Sequence, residues 1–349
     1  MTAETDARLA PLPAPGDGPG TERWLAAVGA TVAGATQEAV ARLARSPDQA
    51  RLFALGLADM RLAQPGGDRL LTSAHVLAAL MLDRGAGPRL LGPVGALATL
   101  FETGIDIIDN VADRELAPHW AAAPDGAATL VGTLFVSGLP MALLAALPIP
   151  ETRRIRLLAT IGRFSTAIAH GQQEDYALSG AEIVPLDRIE ASYRQKTGDR
   201  HAMLVRLALE AAGETEDAPL QAAETFGRAL GLALQIRSDI GHLFGEEALR
   251  DVRNGTRTWP VAFALQAAEG AARSELLRLL DPGAGSAEAL VDWLTARGVL
   301  VAATLRAERA AAEARALLSA LVRTEAATAL LDRATRRGGV AAAAGAASG

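Results

Sequence analysis

The stretch GIDIIDNVAD, residues 104–113, decides how this sequence is read. It sets Asp106, Asp109, Asn110 and Asp113 in a run that is otherwise apolar and follows GPVGALATLF at 92–101. At about 100° per residue, positions 110 and 113 fall within about 40° of position 106, and 109 lies about 60° away. The four polar side chains therefore share one helix face, with Ile105, Ile108, Val111 and Ala112 on the remainder. Carboxylates this close repel and raise one another's pKa unless a cation neutralises them. Oxygen ligands of this kind suit Mg2+, which keeps several waters and often bridges one or two carboxylates to a substrate phosphate. The alternative is a helix end whose acids are simply solvated.

Composition narrows the field. The chain has 349 residues, half of them hydrophobic, enough for a substantial core in one large or two medium domains. A net charge of −6 without a basic block argues against nucleic acid as a partner. Cysteine is absent, so disulfides and thiolate metal sites are excluded. The opening residues lack a basic region followed by an apolar one, and no secretory signal is visible. The expected organisation is a flexible leader over 1–22, a single all-α domain over 23–336 and a disordered tail over 337–349, in a cytoplasmic protein. Residues 126–150 carry no charge but contain Gly132, Gly138, Pro140 and Pro148. Pro140 should break a helix there, so a buried helix pair is expected rather than stable membrane insertion.

Nearly every segment between Gly/Pro punctuation reads at the helical period, and alternating β-branched strands are absent. Turn signals such as QPGGD, RGAGP, LPIPET and RNGT imply about ten to twelve helices, an all-α multi-helix bundle around a central cavity. A second polar stripe lies in QIRSDIGHLFGEE (235–247), where Gln235, Ser238, Asp239, His242 and Glu246 recur at spacings of three and four. Between the stripes lie GQQEDYAL (171–178) and YRQKTGDR (193–200). Of 34 Lys and Arg residues only Lys196 is lysine, which marks a position where a compact ammonium is wanted and a guanidinium fork is not. Two acidic stripes and one lysine point to divalent ions and a phosphate group.

These motifs, in this order, resemble those of the class I isoprenoid diphosphate synthases, the all-α polyprenyl synthetase family, over about residues 60–265. The family's DDxxD stands here as Asp109-Asn110-Val111-Ala112-Asp113, and its GQxxD as Gly171-Gln172-Gln173-Glu174-Asp175. Its lysine-threonine pair is Lys196-Thr197. Its QxxDDxxD is Gln235-Ile236-Arg237-Ser238-Asp239-Ile240-Gly241-His242, and its GKxTxP is Gly255-Thr256-Arg257-Thr258-Trp259-Pro260. The resemblance implies an isoprenoid synthase-type helix bundle, an allylic prenyl diphosphate substrate and a homodimer. It implies Mg2+, up to three ions, with Mn2+ as a substitute. By matching position, Asp109, Asp113, Lys196 and Asp239 would be catalytic. Asp109, Asn110, Asp113, Ser238, Asp239 and Glu246 would face the metal, the last through a degraded form of the terpene cyclase NSE-type triad. Arg194, Lys196, Gln235 and Arg257 would hold the diphosphate, with Asp106, Gln172, Asp175 and His242 behind them.

The departures from the family pattern matter as much. Chain-elongating members bind isopentenyl diphosphate through GGKxxR and an arginine pair just after DDxxD. Here the first reads Gly66-Gly67-Asp68-Arg69-Leu70-Leu71, and Asp113 is followed by RELAPHW. A second diphosphate would need those cations. The first expectation is therefore a class I terpene synthase-like enzyme that ionises one allylic diphosphate and then cyclises, eliminates or quenches with water. Gly104 and Ile105, which stand where bulky rings shorten the family's pocket, favour a C15 or C20 substrate. The rings available to stabilise a cation are Phe101, Phe135, Phe164, Tyr176 and Trp259, though core packing is their ordinary use. The alternatives are a prenyltransferase, elongating a chain or using another acceptor, and a degenerate regulatory subunit.

Overall fold

Helices begin where the sequence can cap them. Asp17 accepts a hydrogen bond from the Gly20 amide at 2.8 Å, with Pro19 in the first turn, and α1 (Gly18–Leu43) starts there. The helix thus takes up the last residues of the stretch expected as a leader. Ser46 accepts from Gln49 N at 3.1 Å and opens α2 (Pro47–Ala58). There follow α3 (Ser73–Asp83), α4 (Pro88–Ala112), α5 (Ala127–Val136), α6 (Gly138–Ala146), α7 (Glu151–Leu178) and α8 (Leu186–Tyr193). A single π-helical turn, Arg194–Gly198, leads into α9 (Asp199–Ala211) and α10 (Asp217–Gly241). The chain continues as α11 (Trp259–Ala267), α12 (Gly270–Leu279), α13 (Ala287–Ala296), α14 (Val299–Arg315), α15 (Leu318–Leu321) and α16 (Glu325–Arg336). This computed structural model describes residues 11–60, 73–181, 184–244, 254–281 and 286–336, and no strand occurs among them. The Gly66–Leu71 segment, Glu246 and the tail from 337 lie outside the described residues.

The helices outnumber the ten to twelve that turn signals imply, because some breaks, such as the one between Arg315 and Leu318, carry no Gly or Pro. The apolar run at 126–150 divides into the expected helix pair. Its break falls at Ser137 (φ −128°, ψ −78°), while Pro140 sits inside the first turn of α6, where its missing N–H costs nothing. Arg89–Ala112 and Ala127–Ala146 are long and apolar enough to cross a membrane by length and composition, but the first is 72% buried. The second is divided at Ser137 into pieces of 10 and 9 residues, each too short to span alone.

The chain divides into two compact units where the sequence shows no boundary. One comprises Met1–Gly162, Leu204–Gln221 and Ser319–Ala334; the other comprises Arg163–Met203, Ala222–Leu318 and Thr335–Gly349. In the first unit α4 is the central helix and packs on α1 and α5. Its core includes Trp24, Leu77, Leu100, Phe101 and Ile107, and Phe53 meets Phe135 with ring centroids 5.8 Å apart. Gly104 faces α5: a Cβ there would lie 2.8 Å from Gly132 O and from Phe135 Cβ. Its smallness serves a helix crossing, a packing reason separate from the substrate-length expectation. The α4 helix ends with Arg114 at φ 60°, while Arg114 N bonds Val111 O at 3.2 Å and Glu115 N bonds Asn110 O at 2.7 Å. This is a Schellman ending with arginine where glycine is usual.

In the second unit, Tyr193, Ile236, Ile240 and Trp259 pack against the alanine stripe of α14, Ala303, Ala307, Ala310 and Ala311. A neighbouring cluster joins Leu243, Val261, Leu265, Leu276, Leu290 and Trp293. The closest approach is backbone on backbone. A Cβ on Gly231 of α10 would fall 2.6 Å from Gly198 Cα and 2.7 Å from Thr197 O, and one on Gly227 would strike Ala202 N.

Gly231→Ala should therefore destabilise the fold by about 1–3 kcal/mol, the usual range for overpacking, read as a lower denaturation midpoint at unchanged m-value. Arg114→Gly should be neutral to stabilising by up to about 1 kcal/mol, because the relieved left-handed strain slightly exceeds glycine's added unfolded-state entropy; the same denaturation experiment measures it.

Candidate active site

Two groups of candidate residues occur, one in each unit. The first is the end of α4. Ile107 is fully buried and fixes which side of the helix faces the core. Ile108, expected to be covered, is exposed. Asp106, Asp109 and Asn110 are half-buried or exposed along with Asp113, so all four polar side chains lie off the core face, as the spacing requires. Asp109 and Asn110 fall in the last turn of a helix with no basic residue there, and Asp113 is its C-cap. The C-terminal end of a helix carries partial negative charge, which disfavours carboxylates and favours cations. The sequence has thus gathered acids where a helix tolerates them least, and a bound cation would reverse the sign of that interaction. Among the described residues no three His, Asp or Glu side chains converge as a ready-made metal cage. The hard oxygen donors still suit Mg2+, whose remaining positions come from water and phosphate oxygens.

Beyond this helix, Pro118–Ala122 forms a short 3-10 turn. Trp120 Nε1 donates to Asp59 at 2.8 Å, and His119 Nε2 lies 3.2 Å from the other Asp59 oxygen. Near where the resembling family has its arginine pair, Trp120 is thus held on a carboxylate, with His119 beside it.

The second group is one hydrogen-bonded network in the other unit. Thr197 Oγ1 donates to Gln235 Oε1 at 2.7 Å, and Gln235 Nε2 donates to Asp239 Oδ1 at 3.0 Å. Asp239 Oδ2 accepts from the Tyr193 hydroxyl at 2.6 Å and from Trp259 N at 3.2 Å. Burial, reinforced by Asp239 beside it, pushes the Tyr193 hydroxyl well above its ordinary range, so it remains a neutral donor. The Trp259 ring stacks on Phe263 at 5.2 Å, and its Nε1 donates to Glu190 at 3.2 Å. Glu190 also takes both arms of Arg306, at 2.7 and 2.6 Å. Burial pulls the Glu190 pKa upward, but the hydrogen bonds from Arg306 and Trp259 and the Arg306 charge leave it below the ordinary value.

Lys196 rides on the π-turn next to Thr197. Its Nζ lies 3.3 Å from Asp175 Oδ2, and both side chains are largely buried. The approach depends on Gly171, one turn before Asp175, since a Cβ there would strike Lys196 N. Single π-turns of this kind concentrate at functional sites because the extra residue re-aims a side chain. Arg257, two residues before Trp259, donates Nε to Ala181 O at 2.6 Å. Burial lowers its pKa. No salt bridge to Arg257 occurs among the described residues. Its guanidinium is suited to an anion, and none is supplied by a carboxylate among the described residues. The neighbouring Thr258 hydroxyl is buried without a hydrogen-bond partner.

The structure thus brings Lys196, Asp175, Gln235, Asp239 and the Arg257 loop into one unit and gives some of them tasks the sequence did not. Asp239, expected as a metal ligand, is 2% exposed and has donors on both oxygens. Gln235 is spent between Thr197 and Asp239 instead of on a diphosphate. Arg194 turns to Glu313 at 3.6 Å. Ser238 and His242 share an exposed face with Oγ and Nε2 3.4 Å apart. Gln172 is half-buried on α7. The rings considered for cation stabilisation are packed elsewhere: Phe101 and Phe135 lie in the first unit's core, Phe164 is buried with Arg163 over its face at 4.3 Å, and Tyr176 is exposed. Sequence reasoning missed Tyr193, Trp259 as a hydrogen-bonding residue, and Asp59. Rarity was a usable signal for Tyr193, one of only two tyrosines.

Comparison with known proteins gives the family and the fold. The sequence model of the polyprenyl synthetase family matches residues 62–296. Farnesyl diphosphate synthase of Escherichia coli (strain K12) is 28% identical over 146 residues, 39% of this chain and 48% of that enzyme, so the match spans about half the curated relative. Among solved structures, geranylgeranyl pyrophosphate synthetase of Pyrococcus horikoshii superposes with a TM-score of 0.75 at 20% identity, covering 89% of this chain and 97% of that one. Decaprenyl diphosphate synthase of Rhodobacter capsulatus gives 0.76 at 22% identity, covering 90% and 96%. A polyprenyl synthase of Caulobacter crescentus, solved with calcium and an isoprenyl diphosphate, gives 0.75 at 20% identity, covering 90% and 94%. The fold is that of the all-α prenyl synthases, and the chain belongs to the polyprenyl synthetase family.

Proposed function

We propose that the protein is a Mg2+-dependent prenyltransferase that ionises an allylic prenyl diphosphate and passes the allylic cation to a second substrate. The observation that carries this reading is the pair of cations on one network: Lys196 beside Thr197, and Arg257 two residues before Trp259. Lys196, oriented by Asp175, and Arg257 hold the diphosphate, and their charge favours its departure. The C–O bond breaks with its electron pair leaving on pyrophosphate, the acceptor's π electrons attack the cation, and a proton is lost. As the resemblance implies, Asp109 and Asp113, with Asn110 and Asp106 beside them, would hold Mg2+, whose charge when bound would neutralise diphosphate oxygens.

Cyclisation, elimination or water quench of a single substrate, the first expectation, is the weaker reading. The relatives are named for the diphosphates they make, and four of the five candidate rings are packed into cores or face solvent. A second reading concerns the acceptor. Trp120 donates to Asp59, which places a carboxylate near where the resembling family has its arginine pair, and an acceptor other than isopentenyl diphosphate is on that ground the second reading, behind chain elongation. As the resemblance implies, the protein is read as a homodimer, and the sequence expectation of a cytoplasmic protein is kept.

The test is a product assay. Purified protein with Mg2+ receives geranyl, farnesyl or geranylgeranyl diphosphate, each with and without isopentenyl diphosphate, and extracts go to gas chromatography–mass spectrometry before and after phosphatase. Product that depends on a second substrate is expected, with EDTA abolishing turnover. Asp109→Ala and Lys196→Ala should each lower kcat by about a hundredfold or more, the scale for removing one charge-stabilising group. A hydrocarbon or alcohol formed from one substrate alone would overturn the transferase reading in favour of a cyclase.

A further inference from the structure

We infer that Asp239 is a positioning residue that clasps the Lys196 turn and the Arg257 loop together, and is not a metal ligand. The inference rests on the diphosphate-binding reading above. Its ground is the arrangement of donors. A carboxylate offers about four lone-pair positions. Three of them face Gln235 Nε2, the Tyr193 hydroxyl and Trp259 N, which arrive from α10, the end of α8 and the start of α11. At 2% exposure there is no open flank for a hydrated ion, whereas Mg2+ usually keeps several waters in an octahedral shell. Ser238, one residue earlier and about 100° round the helix, is exposed. The wet face of α10 thus passes through Ser238 and His242, and Asp239 belongs to the dry one.

Each donor leads to a part of the anion site. Through Gln235 the carboxylate fixes Thr197, and so the backbone that carries Lys196. Through Trp259 N it fixes the first turn of α11, and so the loop that carries Arg257. Tyr193 reinforces the second link, since Trp259 N also points at its hydroxyl at 3.1 Å. Fixing both cations in advance lowers the ordering cost of binding a diphosphate.

The clasp also makes an unusual prediction about amides. In Asp239→Asn the introduced NH2 can face Gln235 once the Gln235 amide flips. The Gln235 oxygen then accepts from the introduced amide, and the Gln235 NH2 donates to Thr197 Oγ1. The remaining oxygen at position 239 still accepts from Tyr193 and Trp259. An amide therefore preserves a clasp and would weaken a metal ligand.

The experiment compares wild type, Asp239→Asn, Asp239→Ala, Thr197→Val and the Asp239→Ala/Thr197→Val double variant. Inorganic pyrophosphate binding is measured by calorimetry with Mg2+ titrated, and amide hydrogen exchange is followed at Trp259. Asp239→Asn should keep pyrophosphate affinity and the Mg2+ requirement within about threefold of wild type, a small fraction of the usual energy of a coordinating or charged contact. Asp239→Ala should weaken pyrophosphate about tenfold and speed exchange at Trp259, and adding Thr197→Val should cost less than the sum of the single effects, as expected for groups in one network. A tenfold rise in the Mg2+ requirement of Asp239→Asn, or unchanged exchange at Trp259 in Asp239→Ala, would overturn the assignment. If wild type fails to bind pyrophosphate, the diphosphate reading itself falls, while the exchange measurement still decides the clasp.

Discussion

Backbone packed directly on backbone at Gly227 and Gly231 is the contact on which the candidate anion site depends. Any side chain at these positions would hold α10 away from the Thr197–Ala202 backbone. At a normal helix spacing of about 8–10 Å, Gln235 could not take the Thr197 hydroxyl at 2.7 Å, and the chain of bonds through Asp239 to Trp259 would not close. Gly171 performs the same service for the other side of the Lys196 turn. The backbone that carries Lys196 is therefore spaced by three residues that have no side chain.

The two units solve opposite electrostatic problems. At the end of α4 the acids are disfavoured by their own helix, and the natural remedy is a cation from outside. In the other unit Arg257 lies half-buried with no carboxylate partner among the described residues, and the natural remedy is an anion from outside. Proteins tend to break local rules at functional positions and satisfy them elsewhere. The contrast is visible within this chain: Arg84, buried in the first unit, is matched by Asp83 at 2.6 Å and Glu214 at 3.2 Å. The Arg84 charge is closed internally, whereas Arg257 has no carboxylate partner among the described residues.

Much of the fold was legible in the sequence. Helical periodicity, the absence of strand patterns and five ordered motifs led to the correct class and family, because each rests on local spacing. What stayed hidden depends on tertiary direction. Ser238 and Asp239 look interchangeable as ligands in a linear motif, yet adjacent helical positions point about 100° apart and only packing decides which is wet. The close crossing of α5 over Gly104 is likewise set by the fold and not by the motif. Arg194 reads as an anion contact until Glu313, 119 positions later, takes it. The helix pair at 126–150 was legible from Gly138 and Pro140, although the break itself falls at Ser137 and Pro140 sits harmlessly in the first turn of α6.

The Lys196–Asp175 pair has a consequence for chemistry done on the protein from outside. Because every other basic side chain except histidine is arginine, Lys196 is the sole side-chain amine in 349 residues. An acylating or reductive-alkylating reagent therefore meets one internal target, partly shielded and held by a carboxylate. The extent of labelling at Lys196 becomes a readout of whether that amine is occupied, without mutation and with no other side-chain amine to contribute.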